Sequence, residues 1–286
     1  MGYLRYFFHR RYSSVRETKL KRVATGLVLI FVVLYLVLYT SAFWVLGAST
    51  LLSALAFYEY NRLGAVRVRD SWLDSLGMLA ALSVAPAVFF CGVSAFAPII
   101  TGSVFAFFLF GMFRGREFRD TASDVAFKAT GLAYAALPFA FLPLIKSMYQ
   151  GEMWILFLFA VIWANDTLAF AVGKSMGKNK LCPDISPKKT VEGAIGGLVG
   201  GAIAAFFFSY GIATPVWILI VVSIALGIIG IIGDLSESVL KRSAGVKDSG
   251  ALLPGHGGVL DRVDSLLFAV PALYYYLQLK TLFVGG

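Results

Sequence analysis

The chain has 286 residues, of which 59% are hydrophobic and 14% are charged, and its mean hydropathy is +0.80. This composition is too apolar for an ordinary soluble domain and indicates an integral membrane protein. The formal net charge is +9. Because the basic residues are spread along the chain and not gathered in one soluble domain, a membrane surface is a better partner for them than nucleic acid.

A transmembrane helix needs about 20 apolar residues, since the hydrocarbon layer is roughly 30 Å thick. Runs of that length between clusters of charge predict nine spans, at 23–39, 42–58, 72–90, 93–113, 125–145, 153–173, 193–210, 215–233 and 263–284. In lipid each run must satisfy its own backbone hydrogen bonds, which favours helices over open strands. We therefore expect an all-α polytopic membrane protein, divided into a basic arm (1–22), about five helices (23–145) and a region of about four helices with two polar loops (146–286).

The distribution of charge predicts the orientation of these helices. With nine spans, all but two of the 25 Lys and Arg residues fall on one side of the membrane, and the two on the other side are Lys146 and Lys280. By the positive-inside rule the N-terminus and the long loops are cytoplasmic and the C-terminus is outside. The alternative, a single long span over 23–46, would place the seven basic residues of the arm on the opposite side from the basic loops.

Polar residues concentrate in two of the predicted cytoplasmic loops. The first runs from Lys174 to Glu192, "KSMGKNKLCPDISPKKTVE", and carries five lysines. The second runs from Ser236 to Ser265, "SESVLKRSAGVKDSGALLPGHGGVLDRVDS", and joins two membrane-length segments. Polar stretches of this density are unusual in so apolar a chain, and they mark the region where chemistry is expected.

Four carboxylates lie at similar depths near these loops. Asp166 is inside the sixth predicted span, Asp234 ends the eighth, and Asp261 and Asp264 begin the ninth. A carboxylate near the bilayer centre costs roughly 3 kcal/mol, so such a group is normally paired, hydrated or bound to an ion. If the helices pack together the four groups converge, and oxygen ligands without a Cys or His cluster indicate a hard cation, with Mg²⁺ first.

Neighbouring basic residues give the carboxylates a second interpretation. The carboxylates would then form ion pairs within the protein instead of holding a cation. The partners in that case are the neighbouring Arg242, Lys247 and Arg262.

The middle of the second polar loop, "SAGVKDSGALLPGHGG", contains five glycines and a proline. Such a segment is not helical throughout, and its backbone N–H groups are open to a ligand, as they are in phosphate-binding loops. Lys247 and His256 add charge and hydrogen-bonding capacity. Together with the cation site and the lysines of the first loop, the segment indicates a polyphosphate bound beside Mg²⁺.

The second polar loop also carries a long motif: Ser238-x-Leu240-Lys241-Arg242, then Lys247-Asp248-x-Gly250, then Leu253-Pro254-x-His256-Gly257-Gly258-Val259-x-Asp261-Arg262-Val263-Asp264. These residues resemble the signature of the phosphatidate cytidylyltransferases, or CDP-diacylglycerol synthases. The upstream residues Asp166-Thr167-x-Ala169-Phe170 and Leu181-x-Pro183-x-Ile185-Ser186-Pro187-Lys188-Lys189-Thr190-x-Glu192-Gly193 are similar to the same family. The resemblance covers roughly 165–265, while the N-terminal half agrees only in hydropathy. Lys174 departs from the Arg expected in many members, so we assign it no role.

The resemblance implies that residues 146–286 form a catalytic region that converts CTP and phosphatidic acid into CDP-diacylglycerol and pyrophosphate with Mg²⁺. It implies Mg²⁺ on Asp234, Asp261 and Asp264, with a second cation as an open alternative. The other groups expected to take part in catalysis are Lys241, Arg242, Lys247, Asp248 and His256. The groups expected at the nucleotide are Asp166, Ser186, Lys188, Lys189, Thr190, Gly257, Gly258 and Arg262. The family also leads us to expect a multi-pass homodimer in the inner membrane, with its active site on the cytoplasmic side.

Two other functions fit parts of the pattern. Carboxylates inside a membrane often mark ion paths, which would indicate an ion-coupled transporter. Against this, the polar groups cluster at one border and no matching polar set lies at the outer ends. A CTP-dependent lipid or polyprenol kinase would also need Mg²⁺ and a nucleotide site, but it would transfer the γ-phosphate and release CDP.

Overall fold

The computed structural model describes residues 26–64, 71–113, 118–252 and 257–284. Within these residues, one shorter apolar helix precedes eight helical segments that are long and apolar enough to cross a membrane. The helices are α1 (Gly26–Tyr39), α2 (Ala42–Gly64), α3 (Ser71–Cys91), α4 (Phe96–Phe113), α5 (Phe118–Gly131), α6 (Leu137–Lys146), α7 (Gly151–Met176), α8 (Val191–Phe208), α9 (Val216–Ser243) and α10 (Leu260–Val284). The predicted all-α polytopic architecture is confirmed, while the basic arm over 1–22 lies outside the described residues.

The fifth span combines α5 and α6, which are joined by one π-helical turn at Leu132–Ala136. Pro138 follows this turn at the start of α6. Because proline has no N–H to donate, regular α-helical bonding is interrupted at this point. The wider turn places Tyr134 inside the bundle, where its hydroxyl is buried and has no hydrogen-bond partner.

Several helices continue past the limits that hydropathy predicts. α2 ends at Gly64 and not Tyr58, α9 ends at Ser243 and not Gly233, and α10 begins at Leu260 and not Val263. Polar residues in these extensions bond to one another inside the bundle, so the helix persists where the apolar run stops. As a result the candidate site is built mainly on helix ends.

Two apolar cores hold the bundle together. One lies among α6, α7, α9 and α10 and includes Trp154, Phe157 and Leu267, and the other lies among α2 to α5 and includes Phe57 and Phe107. In the first core, glycines allow close helix packing, as small residues do in membranes. A Cβ on Gly197 of α8 would overlap Asn165 of α7, and a Cβ on Gly233 of α9 would overlap the Asp264 carbonyl of α10.

The first polar loop forms a short antiparallel hairpin, which hydropathy did not predict. Strand β1 (Lys180–Cys182) pairs with β2 (Ser186–Thr190), and β2 leads directly into α8. Thr190 caps that helix, because its Oγ1 accepts a hydrogen bond of 3.1 Å from the Gly193 N–H. Glu192 accepts bonds from the backbone N–H groups of Lys178 and Asn179, which fixes the start of the hairpin.

The two ends of the bundle differ in charge. At one end, Lys146 pairs with Glu152 and contacts the Val37 carbonyl, while Lys280 donates to Thr214. The hairpin and the loop between α9 and α10 lie together at the other end, since Arg242 Nε donates to the Ile185 carbonyl at 3.4 Å. The separation of Lys146 and Lys280 from the polar loops agrees with the predicted partition, and the cytoplasmic assignment of the loop end stays a prediction.

Candidate active site

A cavity of about 490 Å³ lies between the hairpin and helices α7, α8 and α9. This volume is within the usual range for small-molecule sites, roughly 300–1,000 Å³. Its lining residues are Asn165, Asp166, Ala169, Phe170, Gly173, Lys174, Lys180, Leu181, Lys188, Lys189, Thr190, Gly193, Ala194, Ile231 and Asp234. Four lysines therefore face two carboxylates across one space, which suits a ligand that carries several negative charges.

Part of the lining of the cavity is apolar. Phe170, on α7, lines the cavity and is 72% exposed. Leu181, Ala194 and Ile231 add to this apolar lining. The cavity thus combines cationic and apolar lining residues, one of which is exposed on a membrane-length helix.

Lys189 of β2 and Asp234 of α9 form an ion pair across the cavity, with 2.5 Å between Nζ and Oδ2. Both side chains are partly exposed, at 25% and 29%. Lys188 lines the same cavity, while Ser186 is half-buried in β2. Thr190 is buried and is used to cap α8, so its predicted contact with nucleotide would have to coexist with that cap.

Three carboxylates influence one another electrostatically at the cavity. Asp264 of α10 lies near enough to Asp234 and Asp166 for the charges to repel one another, and Asp166 and Asp234 repel in the same way. Carboxylate oxygens are hard donors of the kind that suits Mg²⁺, and a bound cation would relieve the repulsion. Asn165, next to Asp166, is 1% exposed, and its Oδ1 has no hydrogen-bond partner and lies against Gly197 of α8.

Asp261 lies in a second polar group. Its Oδ1 pairs with Lys241 at 2.8 Å, and its Oδ2 accepts bonds from the N–H groups of Ser249, at 3.0 Å, and Gly258, at 2.8 Å. Lys241 also pairs with Glu237 at 2.5 Å. Asp261 is therefore held within the protein by the Lys241 ammonium and two backbone N–H groups.

The predicted ligand set is consequently divided. Asp234 and Asp264 approach each other together with Asp166, whereas Asp261 is bound to Lys241. Among the residues that the structure describes, no three Asp, Glu, His or Cys side chains converge closely enough to hold a metal ion. Two of the three predicted ligands form ion pairs, Asp261 with Lys241 and Asp234 with Lys189. The Mg²⁺ site stays a prediction, for which Asp166, Asp234 and Asp264 fit by chemistry.

The remaining predicted residues lie around the loop between α9 and α10. Lys247, Asp248, Arg242 and Arg262 are exposed. His256 lies outside the described residues. Gly257 has a φ of +81°, which favours glycine, and a Cβ there would approach Asp261. The Gly258 N–H, expected to face phosphate, donates to Asp261.

Two buried acids in this region were not predicted. Glu237 is fully buried one helical turn before Lys241, and Glu59 of α2 is 1% exposed and contacts the same loop. The i, i+4 spacing of Glu237 and Lys241 was a signal in the sequence. Glu59 gave a weaker signal, as an acid directly after a predicted span, and its contact with residues near 250 depends on the tertiary fold.

A family model and individual similar proteins both relate this chain to cytidylyltransferases. Residues 20–280 match the cytidylyltransferase family. The chain is similar to proteins named phosphatidate cytidylyltransferase from Staphylococcus saprophyticus (46% identity over 159 residues), Staphylococcus aureus (47% over 157) and Bacillus subtilis (44% over 162). The matched segments cover 54–56% of this chain and 60% of the length of each of these relatives.

Proposed function

This chain belongs to the cytidylyltransferase family, and we propose that it transfers the cytidylyl group of CTP to phosphatidic acid, forming CDP-diacylglycerol and pyrophosphate. The observation that carries the proposal is the cavity, whose lining combines Lys174, Lys180, Lys188 and Lys189 with apolar residues, among them the exposed Phe170. A triphosphate requires the cations, and a two-chain lipid requires direct access from the membrane. The names of the relatives support this pair of substrates.

In the proposed reaction, a phosphate oxygen of the lipid attacks the α-phosphorus of CTP. The new bond joins this oxygen to phosphorus, and the bond from the α-phosphorus to the bridging oxygen breaks, so that pyrophosphate leaves. The lipid phosphate is already a nucleophile, so no covalent intermediate with the protein is required. What the protein must supply is orientation and reduced repulsion between two anions.

The cavity offers groups for both tasks. Lys188 and Lys189, on the hairpin, would hold phosphate oxygens on one side, with Lys174 and Lys180 on the same wall. Acyl chains would leave past Phe170 into the membrane, since withdrawing each CH₂ from lipid costs about 0.8 kcal/mol. The proposed site accordingly lies at the cytoplasmic border of the inner membrane, in a protein that we expect to be a homodimer.

Asp166, Asp234 and Asp264 would hold Mg²⁺ through their carboxylate oxygens. When bound, the cation would neutralise charge on the phosphates in the transition state. Asp261 would contribute differently, by holding Lys241 and the loop segments at Ser249 and Gly258 in place.

The decisive experiment supplies purified protein with phosphatidic acid, Mg²⁺ and CTP labelled at the α-phosphate. Label in the lipid fraction with release of unlabelled pyrophosphate is the expected result. Label that stays in free CDP, with phosphate from the γ-position in the lipid, would identify a lipid kinase instead. An Asp234→Asn protein of equal purity serves as the inactive control, because it removes a cavity carboxylate without changing its shape.

A further inference from the structure

The carboxylate of Glu59 connects the N-terminal half of the chain to the loop between α9 and α10. Glu59 lies on α2 and is 1% exposed. Its Oε2 accepts a bond of 2.7 Å from the N–H of Leu260 and one of 3.2 Å from the hydroxyl of Ser249. One oxygen atom therefore holds both arms of the loop, from a helix about 190 residues earlier in the sequence.

The bond to Leu260 has a specific structural effect. Leu260 is the first residue of α10, so its N–H has no partner within that helix. A carboxylate at a helix start satisfies such a donor and interacts favourably with the helix dipole. Glu59 thus acts as the cap of the helix that carries Asp261 and Asp264.

The loop glycines fit around this carboxylate. A Cβ on Gly250 or on Gly258 would overlap the carboxylate of Glu59. Both positions therefore need glycine so that the backbone can approach the acid closely. Two glycines of the polar loop are thereby explained by Glu59, without any contact to a ligand.

The same loop positions also hold Asp261. The N–H groups of Ser249 and Gly258 donate to Asp261, and Asp261 pairs with Lys241. The loop is therefore clamped between two carboxylates, Glu59 on one side and Asp261 on the other. Movement of the loop away from Glu59 would shift the donors that fix Asp261.

We infer that Glu59 is a positioning residue for the reaction proposed above, on which this inference rests. It does not line the cavity, and it acts through the loop and the start of α10. Because displacement of a reacting or binding group by about 1 Å can lower the rate roughly 100-fold, loss of this clamp should reduce turnover strongly. Binding of the lipid, which is proposed to use Phe170 and not the loop, should change little.

The test uses Glu59→Ala and Glu59→Gln in the full chain, with Asp74→Asn as the matched control. Asp74 pairs with Lys128 at 2.5 Å and accepts from Asn61. It is therefore an acid in the same half of the chain whose partners among the described residues lie in α2 and α5 and not in the loop. Glu59→Ala should lower kcat roughly 100-fold while KM for phosphatidic acid stays within about twofold. Glu59→Gln keeps an acceptor oxygen and should recover kcat to within about tenfold of the parent protein.

Hydrogen exchange gives a second readout that needs no substrate. In Glu59→Ala, the amides of residues 244–252 and 257–260 should exchange at least about tenfold faster, with no such change in Asp74→Asn. If the loop of Glu59→Ala exchanges faster but the parent protein transfers no cytidylyl group, the proposed function is contradicted. The structural role of Glu59 in holding the loop would still stand. Parent-like exchange in the loop, or kcat losses in Glu59→Ala and Asp74→Asn that simply follow their unfolding temperatures, would overturn the inference.

Discussion

Lys189 on the hairpin and Asp234 on α9 form an ion pair of 2.5 Å inside the cavity that both residues line. Lys189 is expected to bind phosphate, and Asp234 is expected to bind a cation. A phosphate would compete with Asp234 for Lys189, and a cation would compete with Lys189 for Asp234. Binding of phosphate to Lys189 should therefore free Asp234 for the cation, and binding of the cation to Asp234 should free Lys189 for phosphate.

This coupling predicts non-additive effects of substitution. Lys189→Ala and Asp234→Asn should each lower kcat/KM for CTP about 100-fold or more, because each removes charge stabilisation from the same phosphates. The double variant should be little worse than the poorer single variant, as is found for residues that act as a unit. Steady-state kinetics of the four proteins form the double-mutant cycle. Losses that multiply would contradict the coupling.

Asp261 and Asp264 should respond differently to the same substitution. Asp264→Asn should abolish turnover without a large change in unfolding temperature, since it removes a repelling charge next to Asp234 and Asp166. Asp261→Asn should lower both activity and unfolding temperature, because Lys241 and two backbone donors lose their carboxylate. Activity and thermal unfolding in detergent measure the two effects. Near-normal activity of Asp264→Asn would show that Asp264 is not a ligand in the predicted metal site.

An exposed carboxylate provides the control for that pair. Asp184 lies between the two strands of the hairpin and is exposed, so Asp184→Asn changes the net charge by the same amount. We expect parent-like activity and stability from it, since surface substitutions usually alter stability by less than about 0.5 kcal/mol. Equal losses of activity and stability in Asp184→Asn, Asp261→Asn and Asp264→Asn would indicate that net charge, and not the position of the carboxylate, causes the effect.

Gly258 should not tolerate a side chain. A Cβ there would overlap both Ser249 and the carboxylate of Glu59, so Gly258→Ala should displace the loop and reduce activity about 100-fold. Gly47→Ala, in the same helix as Glu59, is the matched control because nothing lies within 4 Å of its Cβ position. It should be active and no less stable, since alanine favours a helix over glycine by about 1 kcal/mol. Activity and thermal unfolding are measured for both variants. Full activity of Gly258→Ala would contradict the close packing of Gly258 against Ser249 and Glu59.

The helices could be predicted from the sequence because hydropathy and charge act locally. The segments later found as α3, α4 and α8 were located to within about three residues, a usual error for helix ends. Hydropathy placed the ends of α2 and α9 too early, because each apolar run stops at a charged residue, Glu59 or Asp234, that the helix in fact includes. The contacts of Glu59 with Leu260, and of Asp261 with Lys241, depend on how distant helices pack, which no local pattern in one sequence specifies.

The apolar side of the cavity predicts a selective effect on the lipid substrate. Phe170→Ser should raise KM for phosphatidic acid about tenfold and change KM for CTP by less than about threefold, because the main loss is apolar contact area, while Lys174, 5.9 Å from the ring centroid, keeps its charge. Phe207→Ser is the control: Phe207 is 67% exposed on α8 but does not line the cavity. Assays in mixed micelles with varied surface concentration of the lipid separate the two constants. Equal effects at both positions would indicate general loss of membrane contact.

Removal of divalent cations tests the proposed metal site independently of any single ligand. Excess EDTA should abolish turnover, and added Mg²⁺ should restore it, since two anions cannot approach closely without a bound cation. Asp166→Asn should retain activity but need about tenfold more Mg²⁺ for half-maximal rate, because Asp166 is one of three carboxylates and the other two remain. The measurement is the initial rate as a function of free Mg²⁺ for the parent protein and the variant. Identical Mg²⁺ dependence in the two proteins would place the cation away from Asp166, closer to the ion pair that Asp234 forms with Lys189.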